Sequence, residues 1–185
     1  MLPADHSAQR ALEAYNALAE ADAFATARVA WEDFLTHWRR GLNRCDVEGS
    51  RLQGRSYVRS YERVKADPAL TYLWAARNAE EHGVDKIADV QERAFALAAF
   101  GGYSSEVDYD SNRRPTFRFT PLTDDPPPFF AILPEHIKLC AITERGHQLP
   151  VPIGYDYAFG EQPAAVALAK VGLDFLLDQV ASLTG

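Results

Sequence analysis

The chain has 185 residues, 24% of them charged and 47% hydrophobic, with a formal net charge of −7. That composition fits one soluble domain, residues 1–185, able to bury a core without disulfide or metal staples. The negative balance means that no strong basic field covers the molecule, which argues mildly against wholesale nucleic-acid binding and leaves room for a local basic patch. No apolar run of signal-peptide or membrane-span length is visible, which points to a cytoplasmic protein with no membrane partner. The two cysteines, Cys45 and Cys140, are far apart and lack metal-ligand spacing. They read as core thiols, one in a helix and one in a strand.

In chain order, Leu12, Tyr15, Leu18 and Ala19 follow helical spacing, with Asp5 or Ser7 as N-cap. Phe24, Ala27, Trp31, Phe34, Leu35, Trp38, Leu42 and Cys45 form a longer stripe. It predicts a helix of about six turns that stops near Gly49. Gly54 and the neighbouring serines weaken helix over 51–66, with a short helix expected from Tyr57 onward. Asp67 followed by Pro68 restarts a helix that ends at Gly83. A further helix is expected from Lys86 to Phe100. Beyond Gly102 the pattern changes to alternation in "PTFRFTPL", a proline-rich connection in "DDPPPFF", and two strands around Gly146 in "HIKLCAITERGHQLPVPI". Pro163 opens a last helix carrying Val166, Ala169, Leu173, Leu176, Leu177 and Val180. The expected architecture is mainly α: a four- to five-helix bundle of residues 7–100 with a C-terminal helix at 162–183. A small antiparallel β insertion at 103–155 precedes that last helix.

The helix after Pro68 holds an anomaly. Leu70, Leu73 and Trp74 begin its apolar stripe, and the next stripe position is Arg77. His82 follows five residues later, about 140° around an ideal helix, so the two converge only where the helix ends. Asn78 shares the face of His82, and Glu81 lies four residues after Arg77, where it can hold the guanidinium. Imidazolium is favoured at a helix C-terminus.

Arginine, a polar residue and then histidine, here "RNAEEH", resembles the motif of the HEPN superfamily. The resemblance covers residues 7–100 and implies a helical bundle. It further implies a metal-independent endoribonuclease or RNA-binding protein of the toxin or defence type, with no cofactor. Arg77 and His82 would be catalytic, His82 moving a proton and Arg77 countering charge on phosphate, while Asn78 orients the histidine or contacts phosphate. Such proteins pair two motifs in a homodimer, and an antitoxin-like protein partner is the corresponding expectation. The β insertion has no counterpart in the resemblance. A non-catalytic interaction module built on the same bundle is the alternative, in which Arg77 and Glu81 form a structural pair.

Arg51, Arg55, Arg59 and Arg63 recur every four residues beside Tyr57 and Tyr61. On one helix they would form a ridge. It reads either as a phosphate track with rings for base stacking or as a solvated face offsetting nearby carboxylates. His136 and His147 flank the expected hairpin and read as surface turn histidines. "DYDSN" opens like a calcium loop but continues with Arg113 where glycine is needed. No zinc spacing, phosphate loop or nucleophile elbow occurs.

Overall fold

In the computed structural model of the chain, the described residues are 3–82, 87–91, 94–98, 103–109, 115–121, 129–133, 135–144, 147–153 and 163–184. They form five α-helices: α1 (Pro3–Glu20), α2 (Phe24–Gln53), α3 (Ser60–Val64), α4 (Pro68–His82) and α5 (Ala164–Thr184). Between α4 and α5 lie β1 (Ala88–Gln91), β2 (Ala94–Ala98), β3 (Tyr103–Tyr109), β4 (Pro115–Pro121), β5 (Phe129–Leu133), β6 (His136–Leu139), β7 (Ile142–Glu144) and β8 (His147–Leu149). The fold is therefore mainly helical with small antiparallel strand pairs. None of the described helices is long and apolar enough to cross a membrane. The contacts divide into two units, Met1–Glu92 with Pro134–Gly185, and Arg93–Leu133.

In the first unit, alanine decides how α1 meets α2. Ala4, Ala8, Ala11 and Ala14, with Leu18, make the buried face of α1. Such short side chains let two helices approach closely. The core of α2 is Trp31, Phe34, Leu35, Trp38 and Leu42, all buried, and each large apolar side chain removed from water contributes roughly 1.5–3 kcal/mol. α5 packs on α1, α2 and α4, and meets α2 and α4 closely at Gly172. A Cβ on Gly172 would stand 2.6 Å from Leu73 Cδ1, and the Gly172 carbonyl accepts a hydrogen bond from Trp38 Nε1 at 2.8 Å.

Helix boundaries depart from expectation where distant groups act on them. α1 starts at Pro3, ahead of both expected caps, because α2 completes its first turn. Glu48 Oε1 accepts from the Ala4 N–H at 3.3 Å, and Arg44 Nη1 donates to the Pro3 carbonyl at 2.7 Å. α2 runs through Gly49 to Gln53. A Cβ at Gly49 would overlap the Tyr57 ring, so this glycine makes room for a ring and does not end the helix. The stop falls at Gly54, whose φ of 60° is left-handed. Tyr57 Oη donates to Asp46 Oδ1 at 3.1 Å, and the same oxygen accepts from Ser60 N and Oγ at 2.7 and 2.8 Å, starting α3. Asp67 caps α4 as expected, accepting from Ala69 N at 2.8 Å and Leu70 N at 3.2 Å.

The helix expected over 86–100 is corrected to two strands. β1 pairs with β6 from Ala88↔Leu139 to Gln91↔His136. β2, in the second unit, pairs with β5 from Ala94↔Leu133 to Ala98↔Phe129. "AFALA" is apolar at every position, and a short continuous apolar run suits helix and strand equally. The pairing segments, some 30 to 50 residues away in sequence, decide between them. Phe129 and Phe130 accordingly open β5 instead of closing a connection. Also in the second unit, β3 pairs with β4 from Tyr103↔Pro121 to Tyr109↔Pro115. In the first unit β7 and β8 form a hairpin, Ile142↔Leu149 to Glu144↔His147. "HIKLCAITERGHQL" thus makes three strands where two were expected. Cys140 lies between β6 and β7, half-buried, and Cys45 is buried; neither forms a disulfide.

Candidate functional site

α4 is held on two sides. Tyr72 Oη donates to the Cys140 carbonyl at 2.6 Å, and Tyr72, Leu73, Ala75 and Ala76 are buried. This anchoring fixes which residues of α4 remain accessible: Trp74, Arg77 and Asn78 are half-buried.

Arg77 and Asn78 diverge. The Arg77 stem continues the buried stripe of Leu70 and Leu73, and its side chain is 18% exposed. Nη1 lies 3.5 Å from Glu81 Oε2, on a glutamate that is 58% exposed, while Nε is buried without a hydrogen-bond partner. A long stem on apolar surface with its charge led out to an exposed carboxylate is what an arginine on such a stripe permits. Asn78, about 100° further round the helix, lines a cleft instead. His82 closes α4, one turn beyond Asn78 on the same face; its side chain lies outside the described residues.

The cleft measures about 690 Å³. α4 contributes Thr71, Trp74 and Asn78; α2 contributes Arg39; α3 contributes Tyr61; β8 contributes His147, Gln148 and Leu149. The Arg39 guanidinium carbon sits 2.9 Å from the Trp74 ring centroid, a cation–π arrangement. The Tyr61 and Trp74 rings are 5.0 Å apart and tilted by 45°. Tyr61 is 47% exposed, so a planar group can enter against it. No carboxylate stands among the described lining residues. Arg77 does not line this cleft.

The arginine ridge is corrected. Arg51 lies in the last turn of α2, Arg55 sits in a 3-10 turn of Gly54–Ser56, Arg59 is extended, and Arg63 belongs to α3. The change of backbone after Gly54 removes the common helical axis that a spacing of four requires. Arg59 and Arg63 are exposed, and Arg63 Nη1 donates to Gln179 Oε1 on α5 at 3.0 Å. The Arg55 side chain lies outside the described residues.

Of the two histidines expected at the surface, one is corrected. His136 is fully buried, with Nε2 3.1 Å from the Leu18 carbonyl, and burial pushes its pKa below the ordinary 6.5. His147 is exposed as expected but lines the cleft. Arg39, Trp74 and His147 are the cleft residues that sequence reasoning passed over. The exposed Tyr61 and the Trp74/Asn78 spacing of one turn were the available signals; nothing local marks Arg39 or His147.

A second cavity, of about 180 Å³, is lined by Arg28, Glu32, Glu80 and Asp89 with apolar walls. Arg28 Nε donates to Glu32 Oε1 at 2.7 Å. Burial, and then the neighbouring charge of Glu32, raise the Glu80 pKa above the usual carboxylate value. Among the described residues no group of three or more His, Cys, Asp and Glu side chains is arranged to hold a metal ion.

In comparisons with family models, curated proteins and solved structures, nothing matches this chain.

Proposed function

We propose that the chain binds single-stranded RNA in the α4 cleft and cleaves it without a metal ion, as a HEPN-like ribonuclease whose two motifs meet in a homodimer. One observation carries the reading. In a protein of net charge −7, the cleft gathers a guanidinium, an imidazole, two carboxamides and two aromatic rings, with no carboxylate among its described lining. Cations attract phosphate, rings stack bases of any sequence, and carboxamides read base edges. Asn78 links the cleft to the "RNAEEH" motif. Arg59, exposed at the start of α3, is a further candidate phosphate contact near Tyr61.

The alternative, a non-catalytic module that docks an antitoxin-like protein, is favoured by the side chain of Arg77, which meets Glu81 and not the cleft. A labelled single-stranded RNA in EDTA at low salt separates the readings. The ribonuclease binds and shortens the RNA, and Tyr61→Ala weakens binding about tenfold, in line with ~1–3 kcal/mol per stacked base. A protein that leaves RNA free in solution at low salt leaves the interaction module as the account of the cleft.

A further inference from the structure

We propose that His147 is a catalytic residue of the cleft, one of the two groups that move protons during RNA cleavage. The inference rests on the RNA reading above and adds a residue that lies outside the Arg77–His82 motif.

Cleavage by the 2′-hydroxyl needs two proton transfers. As O2′ bonds to phosphorus, its proton leaves to a base. As the P–O5′ bond breaks, O5′ takes a proton from an acid. The products are a 2′,3′-cyclic phosphate and a 5′-hydroxyl, and no oxidant, metal or water is consumed. One imidazole cannot occupy both positions in a single step. The motif supplies one histidine per chain, at position 82. A second histidine, His147 on β8, is exposed and lines the cleft with Arg39 and with Asn78, which lies one turn before position 82 on α4. A strand of a hairpin packed on α4 through β7 carries it, so its backbone is set by the ladder and not by a free loop.

Arg39 reaches the cleft from α2 and counters the charge that builds on the non-bridging phosphate oxygens. Tyr61 comes from α3, and Glu144 stands opposite His147 in the β7–β8 register. Gln148 and Asn78 add hydrogen-bonding groups without charge. His147 then takes one of the two transfers, and the other falls to a His82 of the homodimer.

The test uses the full chain with a short single-stranded RNA in EDTA, and two variants, His147→Ala and His147→Gln. Cleavage is read in single turnover with protein saturating, so that a change in RNA affinity does not enter the rate. Both should cleave 10²- to 10⁴-fold more slowly, the usual worth of a positioned acid or base, and one limb of the bell-shaped pH–rate profile should vanish. Cleavage at the parental rate overturns the proposal, and so does a slower rate with both limbs intact, which would mark a positioning role. A parent that binds RNA but leaves it uncut in EDTA overturns the role of His147 while the binding reading stands. A parent that binds no RNA overturns both.

Discussion

Arg77 shows how a helix accommodates a cation on its apolar stripe: the stem stays inside and the charge is led out to Glu81. Because Glu81 is 58% exposed, removing Arg77 leaves its ion-pair partner in solvent. Arg77→Ala is therefore expected to cost about 0.5–1 kcal/mol, close to an exposed helix pair plus lost stem contact. Thermal unfolding should show a Tm lower by about 2–4 °C; a loss above ~3 kcal/mol would mean that Arg77 holds a buried partner. The anomaly was legible in the sequence because spacing alone puts position 77 on the stripe. The burial of His136 was not, since its cover is made by the Leu18 carbonyl, 118 residues away. With Nε2–H facing that acceptor, Nδ1 is left buried and unpartnered, and protonation would put a charge into the core. The folded pKa lies below 6.5, for which burial is the leading cause. The stabilisation from neutral His136 is thus complete above pH 6.5 and is lost as pH falls from 6.5 through the folded value. His37, lowered mainly by burial and then by Arg10 and Arg40, adds a slope of the same sign. Denaturant midpoints between pH 5 and 7.5 should fall toward acid, and His136→Gln should flatten that fall.

Capping separates what an element announces from what it receives. Asp67 and Pro68 announce α4, and the cap forms as written. Ala23, at the start of α2, offers no side-chain cap. Glu135 accepts the Phe24 N–H at 3.1 Å from 111 residues away, a contact that no local pattern contains. Asp67→Ala and Glu135→Ala are each expected to destabilise by about 0.5–2 kcal/mol, so chemical denaturation tests both ends of the argument in one experiment. Gly49 and Gly172 carry the same lesson about space. Neither terminates a helix; each leaves room for a neighbour, Tyr57 or Leu73. Gly172→Ala should cost about 1–3 kcal/mol through overpacking, read as a lower denaturation midpoint with an unchanged m-value. The strands β1 and β2 were hidden for a related reason. Their apolar residues satisfy helical period, and only the pairing segments at 129–139 exclude it. The bundle helices were legible because each carries its own stripe over three turns or more.

For the molecule as a whole, the decisive contrast is between a negative net charge and a cleft whose described lining holds no carboxylate. The order helix, strand, helix could be read from periodicity, whereas the cleft could not, because it is assembled from α2, α3, α4 and β8, the last of them far from the others in sequence. The central claim, that this cleft holds single-stranded RNA, is tested most directly by affinity against salt. A labelled single strand should bind the parent at low salt and weaken linearly in log affinity against log salt. Arg39→Gln should lower the affinity and flatten that slope by about 0.7, the share of one phosphate contact on a single strand. A parent that fails to bind at the lowest salt, or an Arg39→Gln variant with unchanged affinity and slope, would contradict the account.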